Sequence, residues 1–346
     1  MQLELKLHIN DQMAEDKALD RLPSDARTKL RRANQPDWIA PMLATLTEER
    51  FSREGWLFEP KLDGERCLVF RNAPRLEMYS RNRKLLNSKY PEIVEAFERQ
   101  KAKSYIVDGE IVAFENGVTN FAKLQQRMQI QDPSAELRKR IPVCFYAFDL
   151  LFLGAFDLRQ LPLRYRKSLL EKTFEFEEPL RYTEHRDAHG EAYYREACKR
   201  HWEGIIAKDG NSAYVSERSR QWLKFKCMNE QEFVVTGYTD PQGRRIGFGA
   251  LLVGYYERGE LKYAGKVGTG YDNETLRRLG KQLASLETCA KPCEGNSLPR
   301  SGIHWVKPAL IAQIGFTEWT GDGKLRHPRF LGLRDDKEPK EVTREK

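Results

Sequence analysis

Apolar residues in this chain come mostly in short runs with the length and alternation of strands, broken by polar turns. Gly55-Trp56-Leu57-Phe58 and Cys67-Leu68-Val69-Phe70 predict two buried strands, and the polar stretch Glu59–Arg66 between them reads as a tight turn. The folded core is expected to begin at Ile39–Ala44. Apolar positions at helical spacing in Tyr90–Phe97, with Pro91 where a helix starts, predict one helix, and Leu161–Lys172 predicts another. Ser104–Phe114 reads as a hairpin-like pair of apolar stretches interrupted by Asp108-Gly109-Glu110, and Ile141–Leu153 reads as a long buried strand. Alternation along a strand puts Lys224 and Lys226 on one face, with Leu223 and Phe225 on the other. From Glu232 the texture changes to short β runs with glycine turns, Phe233–Tyr238, Ala250–Tyr256 and Leu261–Val267, interrupted by one helical piece near Asn273–Leu286. That spacing predicts a small β-barrel such as an OB-fold, with a domain boundary close to residue 230.

With 346 residues and 40% hydrophobic content, the chain is long enough for two domains with full cores. Its 59 Lys and Arg against 51 Asp and Glu give a formal net charge of +8, which suits a polyanion such as nucleic acid without requiring one. No apolar run approaches the length of a membrane span and no signal-peptide h-region is present, so a cytoplasmic protein is expected. The six cysteines lie scattered, mostly in apolar runs, and read as reduced structural thiols. Cys289 and Cys293 form the one close pair, and with His304 they fall one ligand short of a zinc site. Residues 1 to 36 show no clear apolar period. The basic cluster Ala26–Arg32 reads either as a short helix or arm touching phosphates, or as the solvated face of a flexible leader. Glu338–Lys346 reads as a solvated tail.

The candidate chemistry concentrates in Glu59-Pro60-Lys61-Leu62-Asp63-Gly64-Glu65-Arg66. A lysine desolvated near other cations loses its proton more easily, and the neutral amine is a nucleophile, so Lys61 is a candidate for covalent catalysis. Asp63 can orient the reacting groups, Gly64 lets the backbone turn tightly, and Arg66 can clamp a phosphate or ribose. Taken alone, the stretch fits a polar hairpin with a surface lysine as well. Met78–Lys84 ends a strand with three cations, Arg81, Arg83 and Lys84, which also suits an ordinary solvent-facing turn. Glu110 is awkward in a core and is better explained as a ligand for a metal or a sugar hydroxyl. Phe148, beside Asp149, can offer a flat face to a base, whereas Phe145 and Tyr146 read as core. Two adjacent ammonium groups at Lys224 and Lys226 repel unless an anion lies between them, and a phosphate is the natural candidate; an exposed basic edge strand is the alternative.

Together these motifs resemble the covalent nucleotidyltransferase superfamily of ATP-dependent DNA ligases, RNA ligases and messenger RNA capping enzymes. More narrowly they are similar to the ligase domain of bacterial ligase D, the non-homologous end-joining enzyme, and to its stand-alone relatives. The resemblance covers about residues 39 to 337, with all six motifs in the family's order. It implies an α+β fold: a nucleotidyltransferase (ATP-grasp-like ligase adenylation) domain of antiparallel sheets with helices over 39–229, then an OB-fold β-barrel over 230–337. An extension at 1–38 and a tail at 338–346 flank them. It implies that Lys61 takes AMP, with Glu59 and Asp63 beside it, and that Arg66 and Arg81 contact ribose and phosphate, the second also serving a DNA phosphate. Glu110 matches an acid serving the ribose and a metal, Glu203 a metal-site carboxylate, and Phe148 the aromatic that stacks on adenine. Arg218, Lys224 and Lys226 match nucleotide and phosphate contacts, and Arg326 matches an arginine that a mobile barrel brings over the triphosphate. Arg334–Lys337 fits that last motif's R-x-D-K ending, with Asp336 its contributor.

Phe148–Gly154 and Leu325–Phe330 look like the DNA ligase forms of their motifs, and Asp240–Leu252 is similar to the barrel of the ligase D group. The implied function is sealing of 3′-OH/5′-phosphate nicks in duplex DNA through lysyl-AMP and DNA-adenylate, in DNA repair or end joining. The implied cofactors are ATP and Mg2+ or Mn2+. The implied partners are nicked double-stranded DNA, then Ku and other end-joining factors, for a monomer away from membranes. A chain of 346 residues leaves no room for the polymerase and phosphoesterase domains of full-length ligase D, or for a separate DNA-encircling domain. An RNA ligase or a capping-type guanylyltransferase using the same lysine is an alternative, as is a non-catalytic nucleic-acid-binding module.

Overall fold

A computed structural model describes residues 18–345 except 228, 244, 296, 297, 299 and 300. The chain divides after Cys227 into two compact units. In the first, the larger sheet contains β1 (Arg31–Arg32), β4 (Glu65–Asn72), β5 (Arg75–Ser80), β6 (Ser104–Glu115), β7 (Val118–Thr119), β8 (Val143–Leu153), β9 (Phe156–Asp157) and β10 (Leu180–Tyr182). Its order is β1-β9-β8-β6-β4-β5, with β10 beside β8 and β7 beside β6. The smaller sheet, ordered β11-β3-β12-β13-β2, contains β2 (Leu43–Leu46), β3 (Trp56–Pro60), β11 (Arg186–Asp187), β12 (Gly204–Asp209) and β13 (Arg218–Lys226).

Three apolar layers hold this unit together. The main cluster joins Val69, Val107, Phe145 and Leu150 of the larger sheet to Ile93 and Phe97 of the helix Pro91–Glu98, to Leu124 of the helix Phe121–Met128, and to Leu169 and Leu170 of the helix Leu163–Thr173. A second cluster, with Leu68, Phe70, Ile106 and Phe148 from the larger sheet and Trp222 from the smaller, lies where the two sheets meet. The third packs Phe58, Ile205, Ala207, Leu223 and Phe225 against Tyr193 and Ala197 of the helix Gly190–Lys199. Leu223 and Phe225 thus share the face expected from alternation, which leaves Lys224 and Lys226 on the opposite one.

Several expectations are corrected. The strands flanking Glu59–Arg66 exist, but β3 and β4 belong to different sheets, so the stretch is a crossover between sheets and not a hairpin turn. Ser104–Phe114 is not hairpin-like: Asp108-Gly109-Glu110 lies inside the single strand β6. A Cβ at Gly109 would stand 2.2 Å from the Phe145 ring, so the glycine serves close packing and not a turn. The cysteines are not all reduced, because packing of the helix Gly190–Lys199 on the end of β13 brings Cys198 and Cys227 to a Cα separation of 5.1 Å, where they form a disulfide. Cys67, Cys144 and Cys293 are buried free thiols, and Cys289 is an exposed one. His304 is held by Asp240 at 2.8 Å.

The leader from residue 18 is part of the core, not a solvated arm. Leu19, Leu22 and Ala26 are buried in the main cluster, and Arg31-Arg32 pairs with Phe156-Asp157 at the sheet edge. Residues 1–17 of the expected extension lie outside the described residues. The expected tail also packs: Val342 is buried, its carbonyl accepts a hydrogen bond from Tyr256 N at 2.7 Å, and Glu345 N donates to Gln231 Oε1 at 2.9 Å. Both misreadings share a cause, since two or three buried positions in a charged stretch produce no visible period.

The second unit is the OB-fold. It is built on β14 (Asn229–Thr239), β15 (Leu251–Glu257), β16 (Glu260–Val267), β17 (Ile303–Trp305), β18 (Ile311–Phe316) and β21 (Arg329–Arg334), ordered β16-β15-β14-β18-β21 with β17 beside β14. The ribbon of β19 (Glu318–Trp319) and β20 (Leu325–Arg326) stands apart from that sheet. The helix Asn273–Ser285 is capped by Asp272, which accepts from Thr275 N at 2.7 Å, and buries Leu276, Leu279 and Leu283 in the barrel core. No helix among the described residues is long and apolar enough to cross a membrane.

Because the leader is core, Leu22→Ala is expected to destabilise the first unit by about 2–3 kcal/mol, toward the low end of buried leucine truncations. Urea unfolding of the purified chain checks this, and an unchanged midpoint would return the leader to the surface.

Candidate active site

Strand alternation builds one wall of the site on the smaller sheet. Residues that point away from the Phe58 and Phe225 layer fall in rows across β3, β12 and β13: Leu57, Lys208 and Trp222; Glu59, Ile206 and Lys224; then Gly204 and Lys226. Lys61 extends the last row, its N–H donating to Gly204 O at 3.0 Å. The larger sheet supplies a matching row, Arg66, Glu110, Tyr146 and Arg181, paired across β4, β6, β8 and β10.

Lys61 lies just past the end of β3 with its side chain 18% exposed, and its Nζ is in ion-pair contact with the buried carboxylate of Glu203. Beside the cations Lys224 and Lys226 that the same wall presents, an anion thus stands in contact with the Lys61 amine. The crossover that carries Lys61 is fastened on both sides. Asp63 Oδ2 accepts from Phe121 N at 3.0 Å, and its N–H donates to Thr119 Oγ1 at 3.2 Å. Gly64 passes so close to β6 that a Cβ would lie 2.2 Å from Ile111 O.

Glu59 is 2% exposed and shared between Lys167 Nζ at 2.6 Å and Lys208 Nζ at 2.5 Å. Burial opposes its charge, but the two ammonium groups outweigh burial and hold the carboxyl below its ordinary value. Burial pushes Lys208 down to about 8 against the pull of Glu59. Lys208 Nζ also sits 4.3 Å from the Phe148 ring centroid and 4.0 Å from that of Trp222.

Arg66 makes a bidentate pair with the buried Asp108, 2.6 Å at each oxygen, and its guanidinium lies 4.5 Å from the Phe148 centroid. Burial opposes this charge too, and the Asp108 carboxylate outweighs it, raising the Arg66 pKa. Tyr214 donates to Asp108 at 2.7 Å and accepts from Met42 N at 2.9 Å, which ties the arginine's anchor to the start of β2. Phe148 is 7% exposed, with Arg66 and Lys208 lying against its ring.

The structure brings Glu59, Lys61, Arg66, Glu110, Phe148, Glu203, Lys224 and Lys226 onto the facing walls. Arg218 starts β13, roughly 20 Å along the strand from Lys224, and donates to Ala44 O at 2.7 Å. Arg81 follows β5 and has no ion pair among the described residues. Arg326 belongs to the second unit, exposed and paired with Glu318. Asp336 is buried there, clasped by Arg334 at 2.7 and 2.8 Å. Tyr146 is not simply core: its hydroxyl accepts from Arg181 at 2.8 Å, and with Pro60, Arg181 and Thr183 it lines a cavity of about 530 Å³.

Sequence reasoning missed Lys167, Lys208, Trp222, Asp108 and Tyr214. The signal for Lys208 and Trp222 was available, since alternation through Ile206 and Lys224 puts both on the same wall. Lys167 and Tyr214 arrive from distant segments and leave no local pattern. For a divalent cation, Glu110 and Glu203 offer hard carboxylate oxygens, and the described residues contain no cluster of three or more His, Cys, Asp or Glu side chains that could hold a metal. Such a donor set fits Mg2+ or Mn2+ bound by one or two carboxylates together with substrate phosphates.

The family model described as "ATP dependent DNA ligase domain" matches residues 41–226, and the one described as "ATP dependent DNA ligase C terminal region" matches residues 244–337. The chain is 34% identical over 319 residues to the multifunctional non-homologous end joining protein LigD of Pseudomonas aeruginosa, covering 90% of this chain and 37% of that protein. It is 36% identical over 315 residues to the multifunctional non-homologous end joining DNA repair protein LigD of Mycobacterium tuberculosis, covering 89% and 40%. The chain thus spans well under half the length of these relatives. A DNA ligase of Thermococcus fumicolans is 32% identical over 303 residues, covering 82% and 53%. Among solved structures, a mycobacterial DNA ligase D complexed with ATP and MES aligns with a TM-score of 0.66 at 34% identity, covering 90% of this chain and all of that one.

Glu59→Gln leaves two buried ammonium groups without their shared carboxylate and is expected to cost about 3 kcal/mol, as for other broken buried pairs. Because the folded-state pKa of Glu59 is lowered, its contribution is present above the ordinary 4.5 and is lost as pH falls below it. Urea unfolding as a function of pH should show an acid limb in the wild type that is smaller in Glu59→Gln, and identical profiles would contradict the assignment.

Proposed function

The chain belongs to the ATP-dependent DNA ligase family, and on that premise we propose that it seals 3′-OH/5′-phosphate nicks in duplex DNA through a lysyl-AMP on Lys61. The observation that carries the reading is the placement of Lys61 against Glu203, in line with Gly204 and Lys226, on a wall that also presents Lys224.

In the first step Lys61 Nζ gives up a proton, for which the touching Glu203 carboxylate is the acceptor in place. The amine then attacks the α-phosphorus of ATP: the N–P bond forms, the P–O bond to pyrophosphate breaks, pyrophosphate leaves with the electron pair, and the nitrogen releases its second proton to solvent. Lys224 and Lys226 offset the charge that develops on the phosphate oxygens. Arg66 and Glu110, adjacent across β4 and β6, hold the ribose, and Phe148 holds the base. Glu110, and Glu203 when not engaged with Lys61, would offer oxygens to a divalent cation, which would supply further charge neutralisation at the phosphates.

In the second step a 5′-phosphate oxygen at the nick attacks the same phosphorus, the N–P bond breaks with its electron pair on nitrogen, and Lys61 regains both protons, one from Glu203 and one from solvent. In the third the 3′-hydroxyl loses its proton and attacks the 5′-phosphorus, and AMP leaves. Arg326 is assigned to the first step. The LigD relatives are named for non-homologous end joining, and we extend to this chain a role in repairing broken ends, with Ku as the candidate recruiter.

Intact-mass measurement after incubation with ATP and Mg2+ should show an AMP adduct that nicked duplex DNA discharges. Lys61→Ala should show no adduct yet seal a pre-adenylated nick, and an adduct surviving in that variant would remove Lys61 from its role. An adduct formed only from GTP would instead indicate a capping-type guanylyltransferase. Arg326→Ala is expected to slow adduct formation more than sealing of a pre-adenylated nick, and equal losses in both assays would count against its assignment.

A further inference from the structure

The connection from the helix Gly190–Lys199 to β12 carries Glu203, the carboxylate that touches Lys61. It is fastened to the end of β13 at three places in succession. Cys198 is bridged to Cys227, which follows Lys226 and ends the first unit. The Glu203 carbonyl accepts from Cys227 N at 3.0 Å. Gly204 then passes so near that a Cβ there would stand 2.1 Å from Phe225 O. The turn between the first two places is taken at His201, whose φ of 59° lies in the left-handed region. Tyr194 of the same helix adds a hydrogen bond from its hydroxyl to Lys226 O at 3.1 Å. The bridge therefore closes a small ring, with the backbone that presents Glu203 on one side and the residue after Lys226 on the other.

Such a bridge is not needed to hold the unit together. Disulfides make up for a missing core in small domains, whereas this unit ends at residue 227 and contains three apolar clusters. Nor is the bridge sealed in the interior. Cys198 and Cys227 are both half-buried, and Lys199 and Arg200 beside Cys198 are exposed, a position open to thiol exchange. Of the four free thiols only Cys289 is exposed, and it belongs to the other unit.

We propose that the Cys198–Cys227 bridge is a thiol–disulfide exchange site whose oxidation state sets the rate at which Lys61 takes AMP. The proposal rests on the ligase reading. The reductant is a dithiol: its thiolate attacks one sulfur of the bridge, a mixed disulfide forms, and the other cysteine sulfur leaves with the electron pair and takes a proton. The second thiolate of the reductant then attacks the mixed disulfide and releases the remaining cysteine, which takes a proton in turn. Two electrons and two protons pass to the protein, and the reductant ends as a disulfide. With the ring open, the Glu203 segment keeps its hydrogen bond to Cys227 but loses its covalent hold on β13, and the carboxylate is less well placed to accept the Lys61 proton. Arg66, Glu110 and Phe148 stand on the other sheet, so the grip on the nucleotide is unchanged.

Lysyl-AMP formation by the full chain with Mg2+ is followed by rapid quench and intact mass over a series of ATP concentrations, before and after reduction with dithiothreitol. Reduction is expected to lower the maximal rate about 10-fold while the half-saturating ATP concentration stays the same. Reoxidation with oxidised glutathione should restore the rate. Alkylation of the oxidised, denatured chain should label four of the six cysteines, and six labels would show that no bridge forms and overturn the proposal. Cys198→Ser/Cys227→Ser should hold the slower rate under both conditions, and Cys289→Ser should respond to reduction as the wild type does. Should the double variant fail to fold, the reversible response of Cys289→Ser decides. Equal maximal rates in the two states, with adduct formation intact, overturn the exchange site and leave the ligase reading standing, and a shift in urea midpoint alone would reduce the bridge to a staple. A response lost in Cys289→Ser would move the effect to that thiol and overturn the proposal too. A wild-type chain that forms no adduct in either state overturns the ligase reading, and this proposal with it.

Discussion

The first unit turns on one buried carboxylate. Glu59 joins β3 to the helix Leu163–Thr173 through Lys167 and to β12 through Lys208, so three elements that meet nowhere in sequence are fixed around a single side chain. Burying an anion and two cations is expensive, and a well-packed apolar trio of similar volume would be at least as stable. What the charges provide is placement. Lys208, held by Glu59, lies against both Phe148 and Trp222, and the spacing of the two walls there follows from that contact.

Arg66 repeats the principle on the facing sheet. Its planar fork is locked by Asp108, and Asp108 is locked by Tyr214, whose hydroxyl also secures the backbone at Met42. The guanidinium has thus lost its rotamer freedom, and under the proposed function this would reduce the entropy cost of binding a ligand. Lys61 is treated differently. Its amine meets Glu203 at the rim, and its side chain is 18% exposed where Glu59 and Asp108 are buried.

Much of this was legible in the sequence because the walls are strands. Period-two alternation places Lys224 and Lys226 away from Phe225, and the same rule extended through β12 would have found Lys208. The barrel was legible from its short runs and glycine turns. Two kinds of feature were not. Contacts that close through distant segments, such as Lys167 on Glu59 or the Cys198–Cys227 bridge, have no local trace. Partnership was not legible either: nothing in the residues around Lys61 announces that Glu203 stands at its amine, and Asp63, two positions away, is engaged with the start of a helix. Motif spacing reports which residues are used together, and only the packing reports which atoms touch.

The buried leader bears on how such a unit can be borrowed. Leu19, Leu22 and Ala26 lie outside the region matched by its family description, which begins at residue 41, yet they close its main core. The portable unit is therefore larger than the recognisable one. A fusion, a chimera or a natural rearrangement that cut at the edge of the motifs would move the chemistry intact and leave its hydrophobic bed uncovered.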